Sequence, residues 1–165
     1  MKKSVTLSKE VVALLLPRLA DEFKAFYFYR SATNWCKNQG FNKAAEYFAE
    51  ESKSELEHAK KHEDFLTDWN VMPYLPVVAS PVCDFKDLGD VITQAYDMEY
   101  ALYEEYEATS SLIFKSTDLC VFDFLEFYRT TQRQSIAEYS DMIGLLDGID
   151  PSDKFQMVQL QNHLF

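Results

Sequence analysis

The sequence predicts an all-α protein, a four-helix bundle with one long crossover and a short fifth helix at the C-terminus. Three observations lead there. Four glycines and five prolines in 165 residues are too few for a chain of short strands with frequent turns. Apolar residues recur every three and four positions over four long stretches. Between the second and third of these, Pro73, Pro76 and Pro81 interrupt the pattern within a few residues of one another. With 47% hydrophobic residues the chain can bury a substantial core as a single domain over 1–165.

The first helix is expected over about 8–38, with Pro17 inside it as a source of a kink. Lys2 and Lys3 ahead of the apolar run Val11 to Leu16 invite a signal-peptide reading. Lys9, Glu10 and Arg18 bracket too short a run for that, and the segment reads as the start of the helix. Asn38-Gln39-Gly40 breaks it, and the second helix follows over about 42–69. The proline-bearing segment 70–84 reads as a long ordered connection. Such a connection can carry the chain from one end of a bundle to the other and make helices two and three parallel. Asp87 serves as N-cap for a third helix over about 87–115, and Ser116-Thr117-Asp118 caps a fourth over about 118–147, which Gly148 stops. Asp150-Pro151 then reads as a cap with proline at the first helical position of a terminal helix over about 152–164.

A net charge of -11 disfavours nucleic acid and anionic membranes as partners and favours cations near the surface. No stretch approaches a membrane span. Cys36, Cys83 and Cys120 have no metal-finger spacing, and their odd number suits reduced thiols in a cytoplasmic protein.

Polar residues stand where apolar ones are expected. One face of the second helix reads Ala44, Phe48, Glu51, Glu55, His58, His62, Phe65, Trp69, apolar at its ends and acid and imidazole at its middle. The third helix carries Leu88, Ile92, Ala95, Glu99, Leu102, Tyr106. The first places Glu22, Phe26 and Tyr29 on one face, and the fourth Leu125, Tyr128, Gln132, Ser135, Tyr139, Met142. Carboxylates gathered in an apolar core repel one another, and each costs several kcal/mol unless something positive lies between them. No Lys or Arg occupies those mid-helix positions, so the missing charge is protons or a metal. Three carboxylates and an imidazole suit iron or manganese and tolerate zinc. A dinuclear carboxylate bundle takes one Glu from each of two helices and Glu-x-x-His from the other two. Glu22 and Glu99 are the single glutamates here and Glu55-Leu56-Glu57-His58 one full motif, while the fourth helix offers Gln132 and Ser135 at that spacing. His62, Tyr106, Tyr128, Tyr139 and Cys120 read as packing or as neighbours of the site.

With these residues placed, the chain resembles the ferritin family from its first helix through the terminal one. Glu22 with Tyr29 seven residues on, Glu55-x-x-His58, Glu99 44 residues after Glu55, and Gln132 carry the likeness. Gln132 with Ser135 is closest to the non-haem, heavy-chain-like type, and Leu56 stands where a haem-binding methionine would be. The resemblance implies a ferritin-like bundle that oxidises Fe(II) with dioxygen at a ferroxidase centre of two irons per subunit, with no haem. Glu22, Glu55, His58, Glu99 and Gln132 would be the metal ligands, with Tyr29 and Gln132 assisting the chemistry. It also implies cytoplasmic iron storage and detoxification in a closed homo-oligomeric shell of 24 subunits. Phe155, Val158 and Leu160 would line a four-fold channel, and Asp123 with Glu126 would mark iron entry at a three-fold. Ser54 departs from the family glutamate beside Glu55, and with Lys60 it thins the acidic patch that would nucleate mineral. Two other classes stay open, a storage or assembly subunit with weak ferroxidase activity and a small di-iron oxidase acting on an organic substrate.

Overall fold

The computed structural model describes residues 5–165, so Lys2 and Lys3 lie outside the described residues. Five helices follow in order, α1 Lys9–Gln39, α2 Asn42–Asp68, α3 Leu88–Lys115, α4 Leu119–Leu146 and α5 Lys154–Leu164. The Ser8 hydroxyl accepts from Val11 N–H at the start of α1, which stays helical through Pro17. Gly40, at φ 84°, closes α1 in the left-handed conformation that a side chain would oppose. Asp87 and Asp118 cap α3 and α4 through their carboxylates. The start of α5 differs from expectation. Asp150 Oδ1 binds the backbone and hydroxyl of Ser152 in a turn, and Asp153, accepting from Gln156 N–H at 3.1 Å, is the true cap.

Side-chain pairings give the topology. Glu22 meets Tyr106 and Tyr29 meets Glu99, so α1 and α3 run antiparallel. Tyr29 stacks near Phe48 and Trp35 near Phe41, while Ser52 bonds the Phe26 carbonyl, so α1 and α2 are antiparallel as well. Helices α2 and α3 are therefore parallel, as the long connection required. That connection travels along α1, with the Ser31 hydroxyl on the Val82 carbonyl and Phe85 edge-on to Phe28 and Trp35.

The core forms two apolar clusters. One, around Tyr29, Phe48, Ile92, Tyr139 and Met142, also takes Met157 and Leu164 from α5. The other gathers Leu15, Leu19, Leu66, Ile113, Val121 and Leu125. Helix α5 folds onto the start of α2, where Phe41 supplies no side-chain cap, and Gln161 Oε1 accepts from Lys43 and Ala44 N–H instead. Val158 and Leu160 pack against this cluster, leaving Phe155 exposed at 74%. No helix among the described residues is long and apolar enough to cross a membrane.

Candidate metal centre

Midway along the bundle, between the two apolar clusters, Glu22 of α1, Glu55 of α2, Glu99 of α3 and Gln132 of α4 are all buried. One ligand atom from each of Glu22, Glu55 and His58 falls within 4.8 Å of the others, while Glu99 is not part of that group. His58 Nδ1 stands 3.5 Å from Glu22 Oε2 and 3.4 Å from Glu55 Oε2. A proton on Nδ1 thus sits between two carboxylates, where a metal ion would take its place.

The remaining oxygens show what these residues lack. The Tyr106 hydroxyl donates to Glu22 Oε1 and the Tyr29 hydroxyl to Glu99 Oε1. Glu22 Oε2, Glu99 Oε2 and Gln132 Oε1 are buried without a hydrogen-bond partner. Each unsatisfied buried acceptor costs about 1–3 kcal/mol. Apart from the His58 proton 3.5 Å from Glu22 Oε2, these buried oxygens on three helices have no donor, a chemistry that suits a hard cation.

Titration follows the same geometry. Burial pushes the Glu55 carboxyl up to about 8, with the Glu22 charge adding to it and hydrogen bonding to His58 opposing. Glu99 is held well above its ordinary value by burial first and then by Glu55. Burial is the largest influence on Glu22 and works to raise it, but hydrogen bonding with His58, the His62 and His58 charges and the Tyr106 hydroxyl together outweigh it and leave that group below its ordinary value. For His58, burial acts to lower the pKa, and the Glu22 and Glu55 carboxylates override it, lifting the imidazolium to about 10. Near neutral pH protons therefore rest on His58 and Glu55, and burial favours the protonated form of Glu99 as well.

Several neighbours read as packing are joined to the site by hydrogen bonds. Tyr106 bonds both Glu22 and His62 Nε2, the latter at 2.9 Å, and the Tyr128 hydroxyl holds the His58 carbonyl at 3.0 Å. His62 and Tyr106 each lie one or two turns beyond a ligand on the same helical row, and that spacing was the available signal. Arg18 is buried one turn before Glu22 and is engaged by Asp21 at 2.9 Å and by Glu105, so its charge is spent outside the ligand set. Ser54 is half-buried, and Lys60 pairs with Asp64 at 2.7 Å on the exposed face. Asp123 and Glu126 are placed on α4, clear of the buried centre. Cys120 is exposed rather than packed, and all three cysteines are free.

The profile of the ferritin-like domain family matches residues 12–149. A bacterial non-heme ferritin of Campylobacter jejuni is 29% identical over 143 residues, 87% of this chain and 84% of that protein. A probable bacterial non-heme ferritin-like protein of Haemophilus influenzae is 24% identical over 148 residues, 90% of each chain. Among solved structures, the open-pore ferritin of the archaeon Archaeoglobus fulgidus superimposes with a TM-score of 0.89 at 21% identity, covering 96% of both chains, a likeness of fold.

Proposed function

The chain belongs to the ferritin-like domain family, and on that premise we propose that it takes up Fe(II), oxidises it with dioxygen at the mid-bundle centre, and stores the ferric product inside a shell of 24 copies in the cytoplasm. The observation that carries this reading is the convergence of Glu22, Glu55 and His58, with the buried Glu99 Oε2 left without a hydrogen-bond partner. Iron is substrate here. One ion is held by Glu22, Glu55 and His58 Nδ1, and a second by Glu55 and Glu99 with Gln132 beside it, so Glu55 is shared between them.

Binding displaces the stored protons. Each Fe(II) then gives up one electron, and a pair supplies the two that, with two protons, take dioxygen to hydrogen peroxide. Water hydrolyses the ferric ions, and the protons set free leave with the product. The second position has only two protein carboxylates and a neutral amide, so it holds its ferric ion less firmly and releases it toward the cavity. Tyr29, in hydrogen-bond contact with Glu99, stands where it can fix that ligand and supply a further electron. The Gln132 and Ser135 pair supports the heavy-chain-like type, while the relatives named above are bacterial. Ser54 and the Lys60–Asp64 pair favour a storage subunit that nucleates mineral slowly over one that grows it efficiently.

Metal-free protein given Fe(II) in air, followed by ferric absorbance beside a Glu55→Ala control and sized by gel filtration, tests the reading. Fast oxidation on a shell-sized particle, lost in the control, supports it. Oxidation no faster than in buffer leaves a storage or structural subunit, and a monomer or dimer favours an oxidase of another kind.

A further inference from the structure

Behind Glu22 lies a chain of hydrogen bonds that ligation itself does not require. His62 Nε2 meets the Tyr106 hydroxyl at 2.9 Å, and that hydroxyl reaches Glu22 Oε1, so one contact joins α2 to α3 and the next joins α3 to α1. His62 is fully buried. Its ring lies nearly parallel to Tyr106, 4.4 Å from the Tyr128 ring and edge-on to Phe124 at 5.1 Å. Tyr106 in turn stacks on Tyr128 at 4.9 Å and 10°. These stacks leave the phenol little freedom to turn away from Glu22.

The proton count gives the chain a direction. Tyr106 has one hydroxyl proton and gives it to Glu22, so the Tyr106 oxygen must receive the one on His62 Nε2. Nδ1 is then the bare nitrogen of a neutral ring, which agrees with its having no partner. Burial keeps that ring neutral, with Arg18 and His58 acting in the same sense and Glu22 against them.

We propose that Tyr106, locked by His62, presets Glu22 as a one-oxygen ligand and so sets the metal affinity of the position formed by Glu22, Glu55 and His58. With Oε1 held by the phenol, only Oε2 is free, and Oε2 is the atom that faces His58 Nδ1 at 3.5 Å. A Glu22 released from the phenol is free to rotate and swing off the site, and must be ordered again when the ion binds. One-oxygen ligation keeps the ion's other positions open for dioxygen and water. Both residues are positioning residues, since each acts through Glu22 and neither belongs to the ligand group. The inference rests on the dinuclear reading above.

Titration of the metal-free assembled protein with Co(II), read by its visible absorption, tests this without any turnover. In Tyr106→Phe the affinity of one Co(II) position should fall about tenfold or more, the range found when partners behind a ligand are removed, while the other stays as in wild type. His62→Phe should weaken the same position by a smaller factor. His62→Gln, whose amide can still donate to the phenol, should restore most of the loss. That pair keeps the test intact if Tyr106→Phe fails to fold. Wild-type affinity at both positions in the folded variants, or an equal loss at both, overturns the positioning role and leaves the dinuclear reading standing. A wild-type protein that takes up no Co(II) overturns the dinuclear reading, and this inference with it.

Discussion

Replacing Glu99 by Gln should stabilise the metal-free protein by an amount that grows with pH. Glu99 is completely buried, Tyr29 donates to one of its oxygens, and the other has no partner. Burial and then the Glu55 charge hold its carboxyl well above the ordinary value of 4.5. The folded chain therefore retains a proton that the unfolded chain releases above about pH 4.5, and folding loses about 1.4 kcal/mol per pH unit from there up to the folded pKa. Below 4.5 the group is protonated in both states and costs nothing of this kind. The amide of Glu99→Gln would keep an oxygen for the Tyr29 hydroxyl and carries no acidic proton to lose, so the variant lacks this slope. From pH 5 upward the gap between variant and wild type should widen, by about 1.4 kcal/mol per pH unit for as long as Glu99 keeps its proton. Urea unfolding of both proteins in chelator, at matched concentration because assembly contributes to apparent stability, measures it. A gap that stays constant with pH would show that Glu99 is ionised in the folded core and would refute the reasoning.

Three more outcomes are expected. Glu55→Ala should abolish binding of both ions, whereas Glu99→Ala should empty mainly the second position, as anomalous density from metal-soaked crystals of each would show. Metal affinity should rise with pH through neutrality, because protons held by His58 up to about 10 and by Glu55 up to about 8 must leave on binding; titration in weak buffer should release protons near pH 7, and an affinity indifferent to pH would count against the assignment. Phe48→Ala, which empties a fully buried site between Tyr29 and Phe165, should cost about 3–5 kcal/mol and lower the melting temperature while first-position Co(II) affinity is kept.

What can be read from the sequence is whatever a single helix encodes. Glu55 and His58 are three residues apart in the polar middle of a row that is apolar at both ends, and burial of a charge in such a row needs no partner to be seen. The crossover is legible because Pro73, Pro76 and Pro81 cannot sit in a helix interior, and its length allows α2 and α3 to be parallel, which the contacts between helices then establish. The contacts between helices are not legible in this way. Tyr106 and Glu22 are 84 residues apart, and whether a phenol on α3 points at a carboxylate on α1 depends on rotational phase and axial offset, which periodicity leaves free. The burial of Arg18 is hidden for the same reason, since its partner Glu105 lies on another helix. The start of α5 is ambiguous in sequence because Asp150 and Asp153 are both competent caps three residues apart, and the choice between them is decided by the turn that Pro151 and Ser152 make.

The placement of the polar layer explains why the ligands cannot escape one another. It lies between two apolar clusters, one anchored by Tyr29, Phe48 and Ile92 and the other by Leu15, Leu19 and Leu125. Each ligand backbone is thus gripped above and below by side chains whose burial is worth about 1.5–3 kcal/mol apiece. Spreading the helices far enough to let water reach Glu55 and Glu99 would open both clusters at once. The carboxylates therefore stay in place, and their burial, with their mutual repulsion added to it, emerges as raised pKa values at Glu55 and Glu99 instead of displacement. On the dinuclear reading, a divalent ion entering such a site would meet side chains already positioned, exchange with protons already present, and require little movement of the fold. The same grip accounts for the tyrosine contacts: once the backbone is fixed, the freedom left to Glu22 and Glu99 is rotation of the carboxylate, and Tyr106 and Tyr29 each remove it by holding one oxygen.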